Sequence, residues 1–381
     1  MKTFEKETIS QPSLSFIEKE TLSIKDNIWD ELRDGLWKQF ILEHHLHNTL
    51  LLPNVKHKQK ALFPSFLQVE PGVKFNKEAS QLELEIYKPK RVCINFDDFL
   101  NISENYFKSL KAKRIGVHLS GGLDSSIIIS LLKYLKIPFV PIGISSSRYE
   151  FRTERQIQEE LIQWGEDGYL IDYENCPFYS GLLDFPKHQI PSQIFNSFKS
   201  STLLSTAFYE RGCDVVITGQ GGDSLFVPEI KNINEIGFIL GDEFINHEEA
   251  DLIYSPIGIK LVSFYAYAPV IDFITNAREG QKMDPLKWWA RKWMKDILIP
   301  KLSDFPYYAD FMGLSMTGLH DALPVIREIL NNAYELTGNK NFSPLSVKNF
   351  LSQDIFSFEM KDDIKFCSLI SAAVWLNSIT K

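Results

Sequence analysis

Cysteine is scarce. Four in 381 residues, Cys93, Cys176, Cys213 and Cys367, lie far apart in dissimilar contexts, with no C-x-x-C pair and no metal-type spacing. That excludes a disulfide framework and a zinc ribbon, and reduced, buried thiols are expected. A positive charge balance is also lacking: 41 Lys and Arg against 49 Asp and Glu leave a formal net charge of −8. Broad nucleic-acid binding, whose affinity comes from clustered Lys and Arg neutralising phosphates, is therefore not expected. No stretch approaches the roughly 20 apolar residues of a membrane-spanning helix, and the start MKTFEKETIS has no apolar signal segment. A cytoplasmic location without membrane association is expected. What is present, 44% hydrophobic and 24% charged residues, is the composition of a soluble globular protein. The length suits two domains, because single cores stop growing at roughly 250 to 300 residues.

Residues 1 to about 60 read as helical, with Ile28, Leu32, Leu36, Phe40 and Ile41 forming one apolar stripe. His44, His45 and His47 read as a solvated helix end, because no Asp, Glu or Cys stands at ligand spacing. LFPSFLQVEPGVKFNKEASQLELEIYKP alternates apolar and polar residues about Pro71-Gly72, the pattern of a β-hairpin turning there. From about 110 the chain repeats strand, turn, helix: RIGVHLS, DSSIIISLLKYLK, PFVPIGIS, TERQIQEELIQWG, GYLIDY, STLLSTAFYERG, CDVVITG. Short apolar strands alternating with helices of ten to fifteen residues indicate an α/β fold built on a doubly wound parallel sheet. Beyond about 230 the pattern turns irregular and then helical, and Trp288, Trp289, Trp293 and Met294 read as a core-facing aromatic stripe. The expected division is 1–100, helical then hairpin, and 101–381, the α/β domain with a helical extension.

In a doubly wound sheet ligands sit at the carboxyl ends of the strands, where both glycine-rich turns, SGGLDSS and GQGGDS, fall. In the first, Gly121 and Gly122 let the backbone approach an anion, and Ser120, Ser125 and Ser126 add hydroxyls at a helix start whose free N–H groups favour phosphate. It lacks the Gly-Lys-Ser/Thr ending of a Walker A loop and the G-x-G-x-x-G of a dinucleotide fingerprint. Asp124 inside a phosphate loop would repel its ligand unless a cation bridges them, so the pattern predicts Mg²⁺ there.

SGGLDSS after an apolar strand resembles the PP-loop of the ATP pyrophosphatases, and the chain from about 90 to 325 resembles the synthetase domain of asparagine synthetase-like proteins. VITGQGGDSLF resembles that family's second signature, PFVPIGISSSRYEFRTERQIQ its adenine-contacting strand and helix, and APVIDFI its Pro-hydrophobic-hydrophobic-Asp segment. The resemblance implies ATP contacts from Ser120, Gly121, Gly122, Leu123, Asp124, Ser125, Ser126, Gly143, Ile144, Gly219, Gln220, Gly221 and Gly222, with Mg²⁺ held by Asp124 and Asp223. It also implies that a substrate carboxylate attacks the α-phosphate, giving an acyl-adenylate and pyrophosphate, and that an amine then forms an amide and releases AMP.

Several positions depart from the family pattern. Residue 2 is Lys2 where the glutaminase nucleophile would be cysteine, so no glutamine hydrolysis is expected. Ser224 stands at the usual glutamate, and Tyr308 where a lysine is expected; Lys301 is a candidate to replace that lysine at the acyl centre. Gly219 to Asp223 looks closer to the β-lactam and lasso-peptide cyclase branch, which implies a small-molecule or peptide substrate bearing a carboxylate and an amine, and a leader-peptide-binding or biosynthetic partner. Two other readings stay open, a tRNA-modifying PP-loop enzyme and a non-catalytic ATP-binding subunit.

Overall fold

The computed structural model describes residues 15–18, 24–25, 30, 38, 66–69, 73–76, 81–84, 89–148, 151–192, 194–227, 247–279, 281, 284, 286–304, 312–343 and 360–380. The helical reading of residues 1 to about 60 fails at Ser15–Glu18 and Ile24–Lys25, which are strands; apart from Asp30 and Lys38 the rest of that range, with His44, His45 and His47, lies outside these residues. Two compact units emerge. One comprises Ile86–Cys176 and Ser200–Phe311 with a short N-terminal piece, the other Gln11–Glu85, Pro177–Lys199 and Met312–Lys381.

Among its described residues the second unit holds five short strands: β1 (Ser15–Glu18), β2 (Ile24–Lys25), β3 (Phe66–Val69), β4 (Val73–Asn76) and β5 (Gln81–Leu84). β1 lies between β2 and β3, antiparallel to both, and β4 pairs with β5. Strands do flank Pro71-Gly72, but they are not the two arms of a hairpin: Phe66–Val69 ladders with Ser15–Glu18, and Val73–Asn76 turns back onto Gln81–Leu84. Period-two alternation identifies a strand and its faces and carries no information about which strand it pairs with.

The first unit opens with α1 (Phe96–Ser109), whose N-cap Asn95 accepts a bond from the Asp98 amide and whose first turn carries Asp97 and Asp98. Cap and charge both suit the helix N-terminus. There follow β6 (Ile115–His118), α2 (Leu123–Tyr134), β7 (Phe139–Ser145), α3 (Arg152–Leu161), β8 (Tyr169–Asp172), α4 (Phe198–Glu210), β9 (Val215–Thr218), α5 (Gly222–Phe226), β10 (Lys260–Ser263), α6 (Ala268–Ala277), α7 (Trp288–Trp293) and α8 (Pro300–Ser303). The five strands form one parallel sheet in the order β10-β9-β6-β7-β8. β10 was not evident in the sequence, because it is only four residues long and one of them, Lys260, is exposed.

The strand order explains where a ligand would go. From β6 the chain winds outward to β7 and β8, then returns to lay β9 on the other side of β6. The topological switch therefore falls between β6 and β9, the two strands that carry the glycine-rich turns. α2 is apolar nearly all round, with Ile127, Ile128, Ile129, Leu131 and Leu132 fully buried, as a helix wedged against a sheet must be. At the opposite strand ends, the Asp214 carboxylate accepts the backbone N–H of Lys113 and Arg114, stitching β9 to β6. Trp289 and Trp293 pack against the core beside Phe226, Phe99 and Phe273, so the aromatic stripe is structural, as its spacing predicts.

In the second unit α9 (Met312–Thr337) packs on α10 (Met360–Thr380). Trp375, fully buried, donates its indole N–H to the His188 carbonyl, and Ser371 bonds the Ser192 carbonyl. No helix among the described residues is long and apolar enough to cross a membrane.

β7 approaches β6 so closely that a Cβ at Gly143 would stand 2.0 Å from the Leu119 carbonyl oxygen. Both partners are backbone and cannot rotate away. Gly143→Ala is expected to cost about 2 to 3 kcal/mol in urea unfolding, the range of core overpacking.

Candidate active site

The first turn leaves β6 at His118 and enters α2 at Leu123. Gly121 adopts φ +85°, the left-handed region where a side chain is strained, and a Cβ there would also press on the Glu154 carbonyl at 3.0 Å. Ser120 Oγ lies 2.9 Å from Ser125 Oγ, and Ser126 Oγ donates to the Gly122 carbonyl at 2.7 Å. The α2 N-cap is Gly122, which makes no side-chain cap bond. The helix thus begins without a side chain covering its first N–H groups, with three hydroxyls beside them. That is the construction of an anion site. Gln158 holds the turn from below, its amide donating to the carbonyls of Leu119 and Ile144.

The second turn leaves β9 and packs directly on the first. A Cβ at Gly219 would lie 2.9 Å from the Ser125 nitrogen, and one at Gly222 would lie 2.5 Å from Asp124 Cγ. Gly221, at φ +83°, closes the turn into α5. The glycines of this turn are there largely to let the two loops touch. Tyr265 completes the junction by donating its hydroxyl to the Asp124 carbonyl at 2.9 Å.

The charges converge on one point. Lys287 Nζ lies 2.6 and 2.7 Å from the two Asp124 carboxylate oxygens and 2.5 Å from Asp223 Oδ1. The Lys287 side chain is 6% exposed, that of Asp124 15% and that of Asp223 73%, so the cluster has a buried end and an open one. Burial pushes the Asp124 carboxyl up to about 6, against the pull of Lys287. Burial also opposes the Lys287 ammonium, but the two carboxylates outweigh it and hold the group above the ordinary lysine range. Near neutral pH the Asp124 carboxylate faces the Lys287 ammonium, with the Asp223 side chain on the ammonium's other side.

Two carboxylates aimed at a common point are hard oxygen donors of the type Mg²⁺ takes when it is bound through one or two Asp residues and substrate phosphates. The donor set fits a nucleotide-associated cation. No group of three or more His, Cys, Asp or Glu able to hold a metal occurs among the described residues, and a Mg²⁺ there would complete its shell with phosphate oxygens and water.

The residues expected from sequence divide into three groups. Ser120 to Ser126 and Gly219 to Gly222 come together as two touching turns, with Asp124 and Asp223 facing one cation. Gly143 and Ile144 stand beside the first turn as backbone, Gly143 against Leu119 and Ile144 through Gln158. Lys301 pairs with Glu160 of α3 at 3.4 Å, both half exposed; the lysine on the two carboxylates is Lys287, a residue not singled out from the sequence. Ser224 takes its place in α5, its side chain lying outside the described residues, and Tyr308 lies outside them entirely. Lys287 escaped sequence reasoning because it sits in a tryptophan-rich segment 163 residues from Asp124. No local pattern in that segment marks Lys287 as a partner of the glycine-rich turns.

A parallel five-stranded sheet with a glycine- and serine-rich turn at its switch point defines a doubly wound α/β fold. Within it, residues 110–229 match the family model described as Asparagine synthase. The matched stretch encloses both turns, Asp124 and Asp223, and supports an ATP-utilising, ligase-type enzyme; Lys287 lies outside it. Among solved structures, an NMN synthetase from Francisella tularensis matches with 15% identity over 48% of this chain and 92% of that chain, at a TM-score of 0.26, too low to bear on fold or function. No curated protein matches the chain.

Two residues before Ser120, His118 stacks on Phe208 and places Nε2 2.6 Å from the Tyr254 hydroxyl. Burial lowers the imidazole to about 4 and raises Tyr254 well above its ordinary value, so the phenol donates and a neutral ring accepts. The sign is that of a depressed histidine. The folded state refuses a proton that the unfolded chain accepts near 6.5, so this group's stabilisation is present above that pH and is lost as pH falls toward 4. Asp124, raised, has the opposite trend over a similar window. Comparing wild type with His118→Gln cancels the Asp124 contribution. Moving from pH 7 to pH 5 should cost the wild type roughly 2 kcal/mol more than the variant in urea unfolding; equal losses would refute the assignment.

Proposed function

We propose that the chain is an ATP-dependent, AMP-forming amide ligase or cyclase that activates a substrate carboxylate as an acyl-adenylate and passes the acyl group to an amine, without hydrolysing glutamine. The observation that carries this reading is the anion cradle: the uncapped start of α2, the hydroxyls of Ser120, Ser125 and Ser126, and the adjoining Asp124, Asp223 and Lys287 cluster. A triphosphate laid in it would rest its β- and γ-phosphates on the N–H groups and hydroxyls, leaving the α-phosphate at the edge of the sheet.

In the first step a carboxylate oxygen bonds to the α-phosphorus as the bond to the β-phosphate oxygen breaks, and pyrophosphate leaves. The cradle stabilises charge on that leaving group through donors fixed before the reaction begins. Mg²⁺, held by Asp124 and Asp223, would supply further neutralisation of the phosphate charge. In the second step an amine attacks the acyl carbon, the bond to AMP breaks, and the ammonium proton passes to a base. Lys301 and Tyr308 are proposed for charge stabilisation at the acyl centre and Ser224 for the position next to Asp223. Gly143 and Ile144 are proposed to line the adenine side. The loop pattern favours a specialised small molecule or a peptide as substrate, with a leader-binding or biosynthetic partner, and no role for nucleic acid or membrane.

Release of pyrophosphate tests the reading. It should depend on a carboxylic acid or peptide acid in a substrate panel, and Asp124→Asn should reduce it by about 100-fold or more, the scale of losing one preorganised electrostatic group. Dependence on tRNA, or full activity in Asp124→Asn, would contradict it.

A further inference from the structure

Lys287 stands where the proposed function needs a divalent cation. Its Nζ engages three carboxylate oxygens at 2.5 to 2.7 Å, whereas Mg²⁺ needs its oxygens at about 2.0 to 2.1 Å. The two cations cannot share the point. Charge argues the same way: with the ammonium in place the cluster carries one net negative charge, and without it two. A dication entering beside a buried ammonium meets repulsion in a low-dielectric surrounding, and the phosphates of a nucleotide are what would reverse the balance.

The backbone gives an independent sign that Lys287 is held under constraint. Its φ is 54° and ψ 39°, left-handed for a residue with a long side chain, at the N-cap of a helix only six residues long. Such a conformation persists only where surrounding contacts impose it, and the ion pairs to Asp124 and Asp223 are contacts of that kind, joined by Phe226, whose ring centroid lies 5.6 Å from Nζ. The open end of the cluster is Asp223, so a metal arriving with nucleotide meets that carboxylate first.

We infer that Lys287 is the resident counter-ion of the nucleotide-free cradle, and that a divalent cation enters between Asp124 and Asp223 only together with nucleotide, as the ammonium withdraws. The inference rests on the proposed function for the identity of the nucleotide. It makes metal and nucleotide obligate co-ligands, and it keeps the paired acids neutralised between turnovers.

Mn²⁺ binding to the full chain, followed by electron paramagnetic resonance, tests it. Nucleotide-free wild type should leave Mn²⁺ in solution, and adding α,β-methylene-ATP should bring one Mn²⁺ onto the protein. Lys287→Met should bind Mn²⁺ without nucleotide at least about tenfold more tightly than wild type, because the repelling charge is gone, and adding Asp124→Asn should remove that gain. Nucleotide-free wild type binding Mn²⁺ as tightly as Lys287→Met would overturn the inference. Should Lys287→Met fail to fold, the wild type decides: the ¹⁵N-lysine Nζ signal assigned with Lys287→Arg should move with Mg²⁺ plus the analogue and stay with Mg²⁺ alone. Movement with Mg²⁺ alone, or none when the analogue binds, would overturn it. Failure of the analogue to bind at all would count against the proposed function, while the comparison of Mn²⁺ affinities still judges the role of Lys287.

Discussion

Asp124 and Asp223 reach the same point from two strands that are neighbours only because the sheet switches direction between them, and the ammonium of Lys287 makes that convergence tolerable. Two carboxylates pressed together with Asp124 largely out of water would repel, and one would take up a proton. The Lys287 ammonium opposes the burial of Asp124 and favours its carboxylate form. Much else around the cradle serves this contact: Gly222 leaves room for the Asp124 side chain, Tyr265 holds the Asp124 backbone, and Phe226 lies beneath the ammonium.

The arrangement joins a rigid floor to a charged mouth. The floor is a parallel sheet whose central strands β6, β7 and β9 are buried on both faces and whose first crossover helix is apolar nearly all round. Turns carried by such strands are fixed by the core beneath them, which lets N–H groups and hydroxyls point at a ligand without reorganising. At the mouth Asp223 is mostly exposed while Lys287 is buried, so the charge pattern changes where solvent and ligand enter.

Much of this was legible in the sequence because the physics was local. Buried parallel strands read as short apolar runs, helices between them as runs of ten or more, and SGGLDSS as a phosphate turn, all within a few residues. Where contact partners mattered, sequence reasoning stopped. The strands on either side of Pro71-Gly72 were visible and their partners were not. β10 was too short to stand out, yet it completes the sheet beside β9. SGGLDSS called for Mg²⁺ at Asp124, whereas the lysine that lies on that carboxylate, Lys287, comes from 163 residues away in the chain. Lys301, chosen from its neighbourhood in sequence, found Glu160.

The central claim is that the two turns form a cradle for the pyrophosphate portion of ATP. Calorimetric titration of the full chain with α,β-methylene-ATP and Mg²⁺ tests it most directly. The account predicts one-to-one binding that inorganic pyrophosphate displaces competitively. Absence of binding at millimolar nucleotide, or binding that pyrophosphate leaves unchanged, would contradict it.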